Sequence, residues 1–138
     1  MYSILQNAHA GWAYLVLLLV LVAVLNSLAN GSKEFAAKDR KIALFALIAT
    51  HLQLVFGLAL YFVSPRGMAA MSQMSDKAMR LTALEHPLVN IIAIVLITIG
   101  WSKHKKAADS AAKFKAISLY YGLGLVLILS RIPWDLWF

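Results

Sequence analysis

Four apolar runs, each close to the length that crosses a hydrocarbon core, decide most of what this chain can become. Residues 8–28, 42–63, 85–101 and 117–132 are stretches in which apolar side chains follow one another with few polar interruptions. About 20 such residues span a bilayer as an α-helix. A backbone in lipid satisfies its own N–H and C=O groups only as a helix or a closed barrel. The runs are continuous rather than alternating, so helices follow. At 62% hydrophobic residues in a chain of 138, the composition lies outside that of ordinary soluble domains. The expected fold is all-α: an integral membrane four-helix bundle forming a single domain over residues 1–138.

The punctuation between the runs supports this division. Asn30-Gly31-Ser32 ends the first run, Ser64-Pro65 the second, Glu85-His86-Pro87 opens the third, and Pro133 closes the fourth. Residues 64–84 read as a mixed connection with four methionines and room for a short interfacial helix; methionine there suits membrane-surface contact better than a metal site. The ending Trp134-Asp135-Leu136-Trp137-Phe138 reads as an aromatic interfacial anchor. Met1 to Asn7 lacks the basic start of a signal peptide, so the first run is expected to be a retained helix. Short connections make an up-down-up-down order the default.

Charge sets the orientation. Of 13 Lys and Arg, nine fall in the first and third connections (Lys33, Lys38, Arg40, Lys41, Lys103, Lys105, Lys106, Lys113 and Lys115). The positive-inside rule places those two connections in the cytoplasm and both termini on the non-cytoplasmic side. Topology thus accounts for the net charge of +7, and nucleic acid is not an expected partner. The chain has no cysteine, which excludes disulfides, iron–sulfur clusters, haem thiolate ligation and covalent haem attachment. No phosphate loop, metalloprotease helix or nucleophile elbow is present.

Chemistry therefore rests on ionisable residues inside the runs, which are costly in lipid and usually face a partner or cavity. His104, between Lys103 and Lys105, is expected to be a solvated surface residue. At ~1.5 Å rise per residue, His51 falls about 14 Å above the cytoplasmic end of its helix, near mid-membrane. The same arithmetic puts His86 and His9 within about 5 Å of one another in depth, toward the outer leaflet. In a square of alternating helices the first and third are diagonal, so His9 and His86 are a candidate pair of axial haem ligands, with His51 and His86 as the alternative pair. Arg131, in the last turn of the fourth helix, and Arg80 are candidates to pair a haem carboxylate, or else Arg131 snorkels. Asn90, one turn from His86, is a candidate to hydrogen-bond a group near the haem. Trp12, on the His9 side of its helix, is either a cofactor wall or an aromatic-belt residue. Five glycines in or at the ends of helices, Gly11, Gly57, Gly100, Gly122 and Gly124, suit close helix packing or the approach of a flat cofactor.

The segments NAHAGWAYLVLLL, ALIATHLQLVFGLALYFVSP, EHPLVNIIAIVLITIGWSKHKKA and LILSRIPW resemble a family of small bacterial four-helix membrane proteins labelled cytochrome b, over nearly the whole chain. A weaker likeness extends to the haem bundles of cytochrome b561 and haem A synthase. The resemblance implies a bacterial inner-membrane protein with haem b held by histidines, carried onto His9, His51 and His86, with Glu85 and Ile132-Pro133-Trp134 at matching positions. The segment HAGWAYL lacks an arginine expected beside the tryptophan, which argues against a carboxylate-binding role in the first helix.

Three functions stay open. A b-type cytochrome would pass electrons, with quinol a candidate donor, within or beside a respiratory complex, and such a protein is an electron carrier rather than a stand-alone enzyme. A cofactor-free accessory subunit would pack against other membrane subunits or a second copy. A proton or metal-ion pathway would use His51, Glu85 and His86.

Overall fold

The computed structural model describes residues 1–137, and among them the chain is helical with no strand. Four helices are long and apolar enough to cross a membrane. The first, α1, is Tyr2–Ala29, and α2 is Ala37–Val63. A 3₁₀ turn at Met68–Gln73 and the short α3 at Lys77–Arg80 lead through Leu81–Glu85 into α4, His86–Lys106. The last long helix, α5, is Ser110–Ser130, followed by a single turn, α6, at Trp134–Trp137. Phe138, the end of the aromatic anchor, lies outside the described residues.

Helix boundaries differ from the apolar runs for a common reason: hydropathy marks where lipid is met, and a helix continues past that point wherever polar residues tolerate it. Thus α2 begins five residues early, its N-terminus held by the Asp39 carboxylate accepting from the Ala36 N–H at 2.9 Å. Helix α4 runs on through Lys103–Lys106, whose charges suit the negative end of the helix dipole. Asp109 caps α5, accepting from the Ala112 N–H at 2.8 Å. Arg131, expected in the last helical turn, is instead the residue just past α5 (φ −129°, ψ 21°).

The third span is longer than expected. Residues 77–106 form one continuous 30-residue helix, interrupted by a π turn at Leu81–Glu85 in which the His86 N–H reaches back to the Leu81 carbonyl. Pro87 explains the turn: it has no N–H for the Ala83 carbonyl and its ring crowds that oxygen. The freed carbonyl is taken by the Tyr61 hydroxyl of α2, which donates at 2.9 Å.

Helix α1 packs against α2 and α5, and α4 packs against α5 and α2, which sets α1 and α4 on opposite corners. The core contains Val16, Val20 and Ala23 from α1, with a stripe of small residues, Ala43, Ala46 and Ala49, from α2. Such stripes let helix backbones approach where lipid provides no hydrophobic drive between helices. Between α4 and α5 the approach is closer than a side chain permits: a Cβ at Gly124 would lie 2.7 Å from Ile97 Cγ1, and one at Gly100 2.6 Å from Tyr120 Cβ. Tyr121, fully buried, ties α5 to α2 across the centre by donating to the Ala43 carbonyl at 2.8 Å. Leu18, Phe45, Val55, Val95 and Val126 point outward and exposed. Only 22–28% of each apolar window is buried inside the bundle, so the remaining apolar surface calls for an apolar solvent, and lipid supplies it.

His104 is a correction to the reading from sequence. It is 1% exposed, its ring 4.4 Å from that of Trp101 and 5.5 Å from that of Phe35. Because α4 continues to Lys106, its lysine neighbours point away at the helical angle while His104 turns inward. The Lys113 ammonium donates to its carbonyl at 2.8 Å, and Ser110 accepts from the Phe35 N–H at 2.8 Å, closing the two basic connections over the end of the core.

Candidate functional site

At the opposite end of the bundle, where the chain termini and the 64–84 connection meet, a cavity of about 230 Å³ opens between α1, α2 and α4. Its lining is largely apolar, with polar groups that include Gln6, His9, Thr50, Gln53, His86 and Asn90 from the helices and Arg66 from the connection. His9 from α1 and His86 from α4 meet across it, ring centroids 6.0 Å apart and planes at 89°.

Each ring is held by a different device. His86 Nδ1 lies 2.8 Å from the Arg131 carbonyl; a carbonyl only accepts, so the proton sits on Nδ1 and Nε2 keeps its lone pair. Asn90, one turn along, donates its amide to the His86 carbonyl at 2.7 Å and so braces the main chain beneath the ring. Its amide nitrogen is also 3.2 Å from His86 Nδ1, whose proton is already committed to Arg131. On the other side, Gln53 donates through Nε2 to the His9 carbonyl at 2.8 Å. Gly57, one turn further along α2, gives the His9 ring its space: a Cβ there would lie 3.2 Å from Cε1 and 3.5 Å from Nδ1. Two buried polar atoms in this cluster have no partner, His9 Nδ1 and Gln53 Oε1.

The donor set can be tested against a metal. An ion bonded to one nitrogen of each ring at ~2.0–2.1 Å would hold the ring centroids about 6 Å apart. Among the described residues there is no cluster of three or more His, Cys, Asp or Glu. The two imidazoles therefore meet without a third such side chain to close a protein cage around an ion.

The other residues singled out from sequence fall in different places. Arg131 reaches the site through its backbone; its guanidinium lies 3.7 Å from Glu85, which also pairs with Arg80 at 2.9 Å. Neither arginine lines the cavity, whereas Arg66 does. Trp12 is outside the lining too: its indole N–H donates to the Ala49 carbonyl at 2.9 Å, and its ring meets Phe56 edge-on at 6.1 Å. His51 is not brought to the other two histidines. It is exposed on the outer face of α2, Nδ1 2.8 Å from the Leu47 carbonyl of its own helix and Nε2 3.5 Å from the Thr98 hydroxyl. That hydroxyl already donates to Ile94 at 2.8 Å.

Gln53 and Arg66 were not singled out from sequence, whereas Gly57 was one of five glycines read as suiting close helix packing or the approach of a flat cofactor. Gln53 had a signal, a strongly polar side chain in an apolar run where its burial needs a partner; Arg66 had none, since a loop charge explains such a residue equally well. Comparison with known protein families, with characterised proteins and with solved structures returns no match.

Proposed function

We propose that this chain is a membrane b-type cytochrome with one haem b between His9 and His86. The observation that carries the reading is the pair of imidazoles, one from each of two opposite helices, spaced for one shared metal in an apolar cavity. Haem held there supplies a one-electron iron couple. His86, its Nδ1 proton given to Arg131, presents Nε2; the apolar walls keep water from the metal, and Arg66 is the cation available to a carboxylate of the macrocycle. The cavity of about 230 Å³ is below the ~300–1,000 Å³ of ordinary ligand pockets, so uptake requires the ends of α1 and α4 to part.

The proposed setting is a bacterial inner membrane, with an up-down-up-down chain path and both termini outside. Alternating helix contacts, short connections and the nine cytoplasmic-side basic residues support it. Quinol is the proposed electron donor, since the cavity opens at the end of the bundle assigned to the outer leaflet. Absorbance spectra of detergent-purified protein, oxidised and then reduced with dithionite, test the reading. A Soret band is expected in the wild type and its loss in the His9→Ala, His86→Ala double variant; a colourless wild type, or a band that survives both changes, sinks it.

A second reading, a cofactor-free accessory subunit, is favoured by one observation: the exposed imidazole of His51 on a lipid-facing surface, which a neighbouring subunit would cover. A colourless protein that co-purifies with larger membrane partners is its signature.

A further inference from the structure

Polar side chains in spanning helices usually turn inward, and His51 does not. It stands at the middle of α2 with its ring exposed on the outer face. A neutral imidazole has one N–H, and here it is on Nδ1, which lies 2.8 Å from the Leu47 carbonyl, a group that only accepts. Nε2 is therefore a bare acceptor. Its polar neighbour among the described residues is the Thr98 hydroxyl of α4 at 3.5 Å, and that hydroxyl gives its own proton to the Ile94 carbonyl at 2.8 Å. Two acceptors thus face each other across the α2–α4 seam with no donor between them. Water would supply one at an aqueous surface, but the hydrocarbon of a bilayer carries none.

Beside the ring, Leu47, Ile48, Leu52 and Val55 line a shallow apolar groove of about 330 Å³. The same two helices are walls of the cavity that holds His9 and His86: Thr50, next to His51 in the chain, and Ile94, the acceptor for Thr98, both line it. An occupant of this seam has to arrive through the bilayer, fit an apolar groove and bring a hydroxyl.

We propose that His51 and Thr98 form a docking site for a membrane-soluble quinol, one hydroxyl donating to His51 Nε2 while the ring and the start of its tail lie in the groove. The chemistry selects the reduced form, because the carbonyl of a quinone only accepts and would meet two further acceptors. Binding does not require the haem; the use of this quinol as an electron donor rests on the haem reading above.

The test uses full-length protein in phospholipid nanodiscs under dithionite, with binding measured against empty nanodiscs. The probes are a decyl-substituted benzoquinol and its dimethyl ether, which keeps the ring and tail and lacks the donor. Wild type is expected to prefer the quinol about tenfold, the equivalent of one hydrogen bond at ~1.4 kcal/mol. His51→Leu is expected to abolish the preference, and His51→Gln, which keeps a side-chain acceptor, to restore part of it. Equal binding of the two probes to wild type, or a preference that survives in His51→Leu, overturns the assignment. So does a dimer, seen by native mass spectrometry, that His51→Leu dissociates, because a second copy then covers the ring. The Soret band reads the cofactor separately: a colourless wild type that keeps the preference sinks the cytochrome and supports this site, and a haem-loaded wild type without the preference does the reverse.

Discussion

His86 and Arg131, 45 residues apart in sequence, are joined by a 2.8 Å hydrogen bond from the imidazole Nδ1 to the backbone carbonyl. The bond exists because α5 ends one residue before Arg131, turning that carbonyl out of the helical ladder and toward α4. Arg131→Ala is therefore expected to preserve the haem spectrum, since the acceptor is main chain. It removes the 3.7 Å pairing with Glu85, in which both side chains are about a third or more exposed, and an exposed guanidinium bond to the Ser130 carbonyl at 2.9 Å, so thermal denaturation in detergent is expected to register a loss of no more than about 1 kcal/mol. Loss of the Soret band in this variant would show that the guanidinium itself holds the cofactor.

The glycines between α4 and α5 behave differently from the one near the start of α1. A Cβ at Gly124 would lie 2.7 Å from Ile97 Cγ1 and 3.1 Å from the Ala93 carbonyl, while one at Gly11 meets nothing within 4 Å. Gly124→Ala is expected to destabilise the bundle by about 1–3 kcal/mol through overpacking. Gly11→Ala is expected to be neutral or to stabilise by up to about 1 kcal/mol through reduced backbone entropy. Melting curves of the two variants in one detergent should move in opposite directions or differ by several degrees.

Tyr121 offers a way to separate packing from hydrogen bonding. Tyr121→Phe removes the donor to the Ala43 carbonyl but keeps the ring, and membrane interhelical hydrogen bonds average ~0.6 kcal/mol with a maximum near 1.7. Tyr121→Ala also empties a fully buried site and is expected to cost about 3–5 kcal/mol by analogy with large aromatic truncations. Equal losses in the two variants would mean that the hydroxyl, not the ring, holds α5 against α2.

His51 and Gly57 lie on different sides of α2, and their variants should divide accordingly. His51→Leu replaces an exposed polar ring on the outer face with an apolar one and is expected to leave haem content unchanged. Gly57→Val pushes branched atoms toward the His9 ring, where even a Cβ sits at 3.2 Å, and is expected to lower haem occupancy severalfold, read as the ratio of Soret to protein absorbance. The reverse pattern would move the metal site to His51.

The four spans, their order and the similar depth of His9 and His86 are all legible in the sequence, because hydropathy, loop charge and a constant helical rise are local quantities. The faces of the helices were not. His51 and Gln53 are two residues apart in one apolar run, and only the packing of α2 decides that the first looks outward while the second reaches His9. His104 sits between two lysines and is nonetheless buried, since the helix that carries it outlasts the apolar run. The π turn before His86 arises from Pro87, and the Ala83 carbonyl that it frees accepts from a tyrosine on another helix. What the sequence alone determined was a chain that must live in lipid as four helices, with histidines at known heights. The tertiary structure decided which way each side chain turns, because rotation about a helix axis is set by the neighbours it packs against, and those neighbours come from distant parts of the chain.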